Sequence, residues 1–270
     1  MTDTATTDTA RIVRVADALA DQHARRARYA PLAGDLALPD LDAAYDVQRR
    51  LIAGWEAGVK GPIAGYKIAL TSKAVQELCG VNQSLVGAIF ASTVHKSPAV
   101  VKLSDFVRVG LEFELCLKMG SDLTDTSGNY TAESVRDAVE LAVPAFELIE
   151  DRDADYSTLD GISMAADNAW SGGIVLGETT GDWRSLDLVT TPVRLEYNDD
   201  VEEAVTGAAM GNPLTALAWV ANLLAQQGRP LRAGHWVMTG STVKTRYPKP
   251  GDKAVYTVEG LGSVAVSVSG

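Results

Sequence analysis

A fifteen-residue run, Asp105 to Met119, constrains this chain most. Val107, Val109, Leu111, Phe113, Leu115 and Leu117 recur at every second position, the period of a β-strand whose alternate side chains share one face. Glu112 and Glu114 fall on the opposite face, about 6.6 Å apart along the strand axis. A solvated strand face would give the same local pattern. The alternative is chemical: two glutamates at this spacing are long enough to converge on one hard cation.

The chain is long enough, at 270 residues with 46% hydrophobic content, for one large core or a core with a smaller attached layer. Its net charge of -11, with no run of lysine or arginine able to follow a phosphate backbone, argues against nucleic acid as a partner. The two cysteines, Cys79 and Cys116, lie in no CxxC and near no histidine at ligand spacing. A zinc site and a disulfide framework are therefore disfavoured, and a reducing cytoplasmic setting is expected. Met1 to Asp8 lacks the basic start and apolar core of a signal peptide, and no uncharged apolar stretch is long enough for a membrane span. Residues 1–8 read as a disordered tail, 9–100 as a helical and loop portion, and 101–270 as a β-rich metal-binding catalytic portion, together one functional unit.

Along the chain, Ile12, Val13, Ala16, Leu19 and Ala20 mark one face of a helix expected to run to about Ala27. Pro31 to Pro39 reads as a loop, and Leu41, Tyr45, Val47, Leu51 and Trp55 as a second amphipathic helix. Gly65 to Ser72 forms a short strand leading into a hydroxyl cap, with a helix from Lys73 to Leu78. Beyond the glutamate strand the pattern predicts a helix from about Thr131 to Val143, then Phe146 to Ile149 as a short strand. Leu188 to Tyr197 is strand-like, with Pro192 pointing to an edge or bulge. Asn212 and Pro213 open a helix to about Leu224. Trp236 to Thr239, Ala254 to Val258 and Val264 to Val268 close the fold as strands, the last two joined by a turn at Gly260-Leu261-Gly262.

A third acid, Glu147, follows Pro144. If its strand pairs near Glu112 and Glu114, three carboxylates surround one cation, which suits magnesium or manganese and, with no histidine or cysteine in the set, not zinc. Alone, an acid at a strand end is more often structural. Lys67 stands in the apolar, glycine-flanked GYKIALTS, whose Thr71 is a candidate substrate contact. Beside a cation its pKa should fall, fitting it to move a proton to or from carbon, whereas a lysine that only snorkels or pairs with an acid is the plain alternative. Asp167-Asn168-Ala169-Trp170-Ser171-Gly172-Gly173 is the other dense polar-glycine patch, in which Asn168 and Ser171 can orient a ligand, or else satisfy a buried turn. It is no nucleotide fingerprint, and no phosphate-binding loop occurs. His23 reads as a surface residue of the first helix, His95 as a loop residue and His235 as a core or edge histidine. Phe90, Trp170 and Trp236 are candidates for an apolar pocket wall or for core packing.

Several segments in order resemble the hydratase and decarboxylase branch of the fumarylacetoacetate hydrolase superfamily. They are GYKIALTSKAVQELCGVNQ from Gly65, VGLEFELCLKMG from Val109, PAFELIEDRDAD from Pro144, AADNAWSGGIVLG from Ala165, and the closing VMTGS and GLGSVAVSV. The resemblance covers the chain from about residue 40 to its end. It implies an α+β fold, a mixed β-roll or barrel with an N-terminal helical portion, assembled into homo-oligomers. It also implies Mg2+ or Mn2+ held by Glu112, Glu114 and Glu147, a small 2-oxo acid or its dienol as substrate, and Lys67 as proton shuttle. Metal-stabilised enolates make water addition, decarboxylation and carbon-carbon cleavage neighbouring reactions.

The chain departs from that pattern in three places. Asn82 and Leu85 stand where the family commonly carries acids in GVDQPDFG, and Trp170 stands where a serine is usual, leaving Ser171 one place later. Leu85 cannot carry a proton, which weakens water activation more than it weakens enolate chemistry. Trp170 fills space that serine would leave open and so bears on substrate size, as a candidate contact. The leading expectation is hydration of 2-hydroxypenta-2,4-dienoate or a homologue to a 4-hydroxy-2-oxo acid. The alternatives are decarboxylation of a 4-oxalocrotonate-like acid, hydrolysis of an acylpyruvate, or a non-catalytic subunit complexed with a pathway enzyme.

Overall fold

Strands from both ends of the chain pair into one seven-stranded sheet, so residue 100 marks no division of the backbone. The computed structural model describes the backbone of residues 2–270 and the side chains from residue 9 onward. In chain order the elements are α1 (Thr2–Ala24), α2 (Leu41–Ala57), β1 (Ile63–Ala69), α3 (Lys73–Leu78), β2 (Leu85–Phe90), β3 (Val94–Lys96), β4 (Ala99–Lys102), β5 (Val109–Met119) and α4 (Ala132–Arg136). The second half adds β6 (Val139–Glu150), α5 (Gly161–Ala166), β7 (Ser171–Leu176), β8 (Pro192–Tyr197), β9 (Asp200–Val205), α6 (Pro213–Gln226), β10 (Trp236–Ser241), β11 (Lys253–Val258) and β12 (Gly262–Ser269). The large sheet runs β2-β1-β10-β5-β6-β7-β3, and a second, five-stranded sheet runs β4-β12-β11-β8-β9. Both are mixed: β1 pairs β10 and β12 pairs β4 in parallel, among antiparallel neighbours. This is the α+β, mixed-sheet architecture expected.

The core forms between the sheets. Leu111, Phe113, Leu115 and Leu117 of β5 are all fully buried on one face. Phe113 meets Phe146 of β6 edge-on at 5.4 Å and lies 6.1 Å from Tyr256 of β11. Local chemistry fixes the helices. Asp40 accepts from the Ala43 N–H at the start of α2, Ser72 from Val75 at α3, and Asn212 from Leu214 at α6, with Pro213 in the first turn. No helix of the described residues is long and apolar enough to cross a membrane.

Five expectations are corrected. The segment 1–8, read as a tail, carries the first turns of α1, Met1 alone lying outside the described residues, and α1 ends at Ala24 rather than Ala27. The helix from Thr131 is real and capped, but stops at Arg136. The next element is β6, a twelve-residue strand that carries Pro144 opposite Leu115 in mid-sheet. A strand buried on both faces has no alternation, and an internal proline argues against a central strand, so the sequence misleads there. The Pro144 carbonyl instead accepts the N–H of Gly177, at 2.8 Å. Finally, β8 is an interior strand that Pro192 merely begins, because β9, unforeseen, covers its edge.

Candidate active site

Four adjacent strands of the large sheet, β1, β10, β5 and β6, bring the charged residues together. Lys67 pairs with Met238, which pairs with Cys116, while Glu112 lies directly opposite Glu147 and Glu114 opposite Ser241. The period-two pair and the third acid therefore share one face, and carboxylate oxygens of Glu112, Glu114 and Glu147 lie within 4.8 Å of one another. No other such group of three converges among the described residues. The solvated-face alternative fails: Glu114, Glu147 and Lys67 are 0%, 1% and 2% exposed, and only Glu112 is half-buried.

Each group is held by a specific partner. Lys67 Nζ sits 2.7 Å from Glu147 Oε1. Thr245 Oγ1 donates to Glu112 Oε1 at 2.8 Å, and the Gly240 N–H donates to Glu114 Oε2 at 2.7 Å. Gly240 lies in the stretch where the β10–β5 register slips, with φ of 101°, and a Cβ there would meet Thr71 Cγ2 at 2.9 Å. Glycine is thus needed both for the backbone conformation and for the close approach. Burial pushes Glu147 up to about 7 and Glu114 well above the usual carboxylate range, with neighbouring carboxylates adding to burial and Lys67 opposing it. For Lys67, burial acts to lower the pKa, but Glu147, Glu112 and Glu114 together outweigh it and raise the value. The fall expected beside a cation depends on that cation offsetting the three acids.

The residues fit a hard divalent cation. Glu114 Oε1 and both Glu147 oxygens are buried without any well-directed hydrogen bond; Lys67 approaches Glu147 as an ion pair rather than as an aligned donor. Buried carboxylate oxygens left without donors cost stability unless something else satisfies them. An all-oxygen, triply anionic set suits magnesium or manganese.

The cluster opens on a cavity of about 250 Å³. Lys67, Glu112, Thr71, Ser72, Ser241 and Thr245 supply its polar lining. Leu70, Tyr156, Leu159, Met164 and Trp170 supply an apolar wall that holds no arginine and no second lysine. Thr71 and Trp170 line this cavity. Asn168 and Ser171 do not. The Asn168 amide is spent on the backbone of Ala88, accepting from its N–H at 2.7 Å and donating to its carbonyl at 2.9 Å, and Ser171 faces a neighbouring cavity. Leu85 is fully buried in β2 opposite Ala69, and Asn82 is exposed. Glu112 is the one carboxylate lining the cavity among the described residues.

Other expectations shift as well. His23 is half-buried rather than free on the surface: its Nε2 donates to Asp167 Oδ1 at 2.5 Å, and Asp167 is fully buried. His95 lies exposed on β3, and His235 precedes β10 and accepts from the Arg232 N–H. Phe90 packs in the core against Trp55, and Trp236 is half-buried; neither lines the cavity. Tyr156, Leu159 and Met164 were not anticipated, since nothing in their local pattern separates a cavity wall from core packing. Ser241 had a signal, closing the VMTGS segment.

Residues 79–269 match the model of the fumarylacetoacetate (FAA) hydrolase C-terminal family. The chain is 35% identical over 237 residues to 2-keto-4-pentenoate hydratase 1 of Dechloromonas aromatica, covering 87% of this chain and 89% of that one. It is 32% identical to the 2-keto-4-pentenoate hydratase of Paraburkholderia phymatum, over 97% and 99% of the two chains. Among solved structures it is similar to 4-oxalocrotonate decarboxylase from Pseudomonas putida G7, complexed with magnesium and adipate. That match has a TM-score of 0.88 and 28% identity, and covers 96% of this chain and 98% of the other.

Proposed function

Because this chain belongs to the fumarylacetoacetate hydrolase family, we propose that it is a cytoplasmic, divalent-cation-dependent hydro-lyase. Its reaction is hydration of 2-hydroxypenta-2,4-dienoate, or a near homologue, to a 4-hydroxy-2-oxo acid. One observation carries this reading: three convergent carboxylates and a buried lysine open on a cavity whose remaining wall is apolar and uncharged. Glu112, Glu114 and Glu147 would hold magnesium or manganese, whose Lewis acidity stabilises negative charge on the oxygens of a 2-oxo acid or its enol.

The chain's own groups do the rest. Lys67 holds a proton at Nζ between Glu147 and the cavity, placed to exchange it as enol becomes ketone. Thr71 and Ser72 offer hydroxyls around the polar end, whereas the Ser241 hydroxyl is held by the backbone of Phe113 and Val243. Leu159, Met164 and Trp170 exclude bulk water from the distal end, so that added water is confined to the polar side. A substrate with one carboxylate suits this lining, because a second one buried in the wall would lack a counter-charge.

Decarboxylation of a 4-oxalocrotonate-like acid is the second reading, favoured by the replacement of a family acid by buried Leu85 and by the likeness to a decarboxylase structure. Acylpyruvate hydrolysis stands third, since none of the three histidines lines the cavity. The active species is a homo-oligomer. The test is an assay of the purified chain with magnesium and 2-hydroxypenta-2,4-dienoate. Loss of dienol absorbance with formation of a 4-hydroxy-2-oxo acid supports hydration, and CO2 release from 4-oxalocrotonate supports the second reading. Turnover only after mixing with another family member would make the chain a partner subunit. Inactivity toward every 2-oxo acid and dienol would overturn the enzyme assignment.

A further inference from the structure

Between α5 and β7 the backbone does something unusual. Asn168, Ala169 and Trp170 have φ of 52°, 49° and 58°, three consecutive non-glycine residues in the left-handed region. There Cβ crowds the following carbonyl, and such residues normally occur singly. A run of three persists only where its surroundings over-determine it.

The structure supplies that determination from both ends. Asp167, immediately before the turn, is fully buried; its Oδ1 accepts from His23 Nε2 at 2.5 Å and its Oδ2 accepts from the Arg152 guanidinium. Burial acts to raise the Asp167 carboxyl, but His23 and Arg152 outweigh it and hold the pKa below the usual range. Asn168 is pinned to both polar groups of Ala88. Gly87 allows the approach, since a Cβ there would stand 2.4 Å from the Asn168 carbonyl oxygen. At the far end, Trp170 packs edge-on against Tyr29 at 5.0 Å and near Tyr156 at 6.1 Å, and Arg152 lies over the Tyr29 ring. Ala169 and Trp170 line the substrate cavity, whereas His23, Asp167 and Arg152 do not.

A buried ion network of this kind gains little stability over apolar packing of the same volume, so its contribution is better sought in geometry. We propose that His23, Asp167 and Arg152 are positioning residues that fix the left-handed turn and hold Trp170 as the wall that packs against the distal end of the substrate. The N-terminal helix thereby takes part in selecting substrate length. This rests on the reading of the cavity as the substrate site, and it involves no contact between the network and the reacting atoms.

The experiment uses the full magnesium-loaded chain and two unreactive ligands, pyruvate and 2-oxohexanoate, which share a head and differ in tail. Calorimetry compares wild type, His23→Ala, His23→Gln, Asp167→Asn, Trp170→Ala and the double variant His23→Ala/Trp170→Ala. His23→Ala and Asp167→Asn should each lower the affinity for 2-oxohexanoate about tenfold while leaving pyruvate within about twofold. His23→Gln, which keeps a side-chain N–H donor, should restore most of the difference. In the Trp170→Ala background, His23→Ala should leave the ratio unchanged. An equal effect on both ligands, or an undiminished effect without Trp170, would overturn the proposal. Hydrogen exchange at Asn168 to Ser171 separates this from the substrate-site reading. It should accelerate in His23→Ala while β5 stays protected, and unchanged exchange there sinks the bracing role whatever the ligands do. Failure of both 2-oxo acids to bind wild type would instead remove the substrate site and the proposal with it. If Asp167→Asn does not fold, the two His23 variants decide, since that side chain is 22% exposed.

Discussion

The two sheets use charge in opposite ways. In the five-stranded sheet, β8 and β11 alternate buried and more exposed residues, and the charges stay on the wet face. Arg194 reaches Glu196 and Glu203 there with all three side chains largely exposed. In the seven-stranded sheet, β5 and β6 are buried on both faces, and Glu114 and Glu147 are buried in them beside the equally buried Lys67 of β1. Exposed pairs are screened and cost little to make or lose. Buried charges are expensive, and three acids with one lysine do not balance, so the large sheet carries a deficit that an external cation would fill.

That contrast breaks first at Lys67. Lys67→Met leaves Glu147 without its one close cation, and in metal-free protein near pH 8 it should cost about 3–5 kcal/mol. Chemical denaturation would measure the loss, and magnesium should recover part of it. Turnover should fall by about 10²–10⁴ even with the cation bound, the range for removing a positioned acid-base group. A Lys67→Met protein as active as wild type would remove the proton route.

The pH dependence is a subtler probe of the same sheet. Glu147 is raised to about 7, so between the ordinary carboxylate range and pH 7 the folded chain binds more protons than the unfolded one. Stability of the metal-free protein should therefore fall as pH rises through that window, with the full penalty above it. Lys67, raised above its ordinary value, holds its contribution constant across this range and loses it only at high pH. Thermal melts at pH 5.5 and 8 should show the fall without magnesium and a smaller one with it. A melting temperature that rises toward pH 8 without metal would contradict the buried, uncompensated acids.

In the small sheet the matching experiment should do almost nothing. Arg194→Ala removes two exposed, solvent-screened ion pairs and should leave both stability and cation binding unchanged within the error of chemical denaturation and calorimetry. A loss as large as that of Lys67→Met would erase the distinction between the sheets.

The same contrast explains what could be read in advance. Glu112 and Glu114 were legible because they punctuate an apolar strand at period two, and Glu147 and Lys67 because their segments carry family motifs. The last two strands, β11 and β12, were legible because a half-solvated sheet writes its alternation into the sequence. Of β6 only the Phe146 to Ile149 end was legible; its first half was not, since a strand buried on both faces and containing Pro144 offers neither alternation nor a permitted proline position. Nor were the roles of His23, Asp167 and Asn168. His23 and Asp167 are 144 positions apart, and Asn168 serves the backbone of Ala88 rather than a ligand. Pairings made only by tertiary structure leave no local signature.

Whether Glu112, Glu114 and Glu147 form a single cation site is tested directly by titration calorimetry with magnesium and manganese on wild type and Glu114→Ala. One equivalent should bind to wild type, more weakly as pH falls below about 7 because protons compete for Glu147. Glu114→Ala should bind no stoichiometric cation while keeping a folded circular dichroism spectrum. Unchanged affinity in a folded Glu114→Ala protein would contradict that single site.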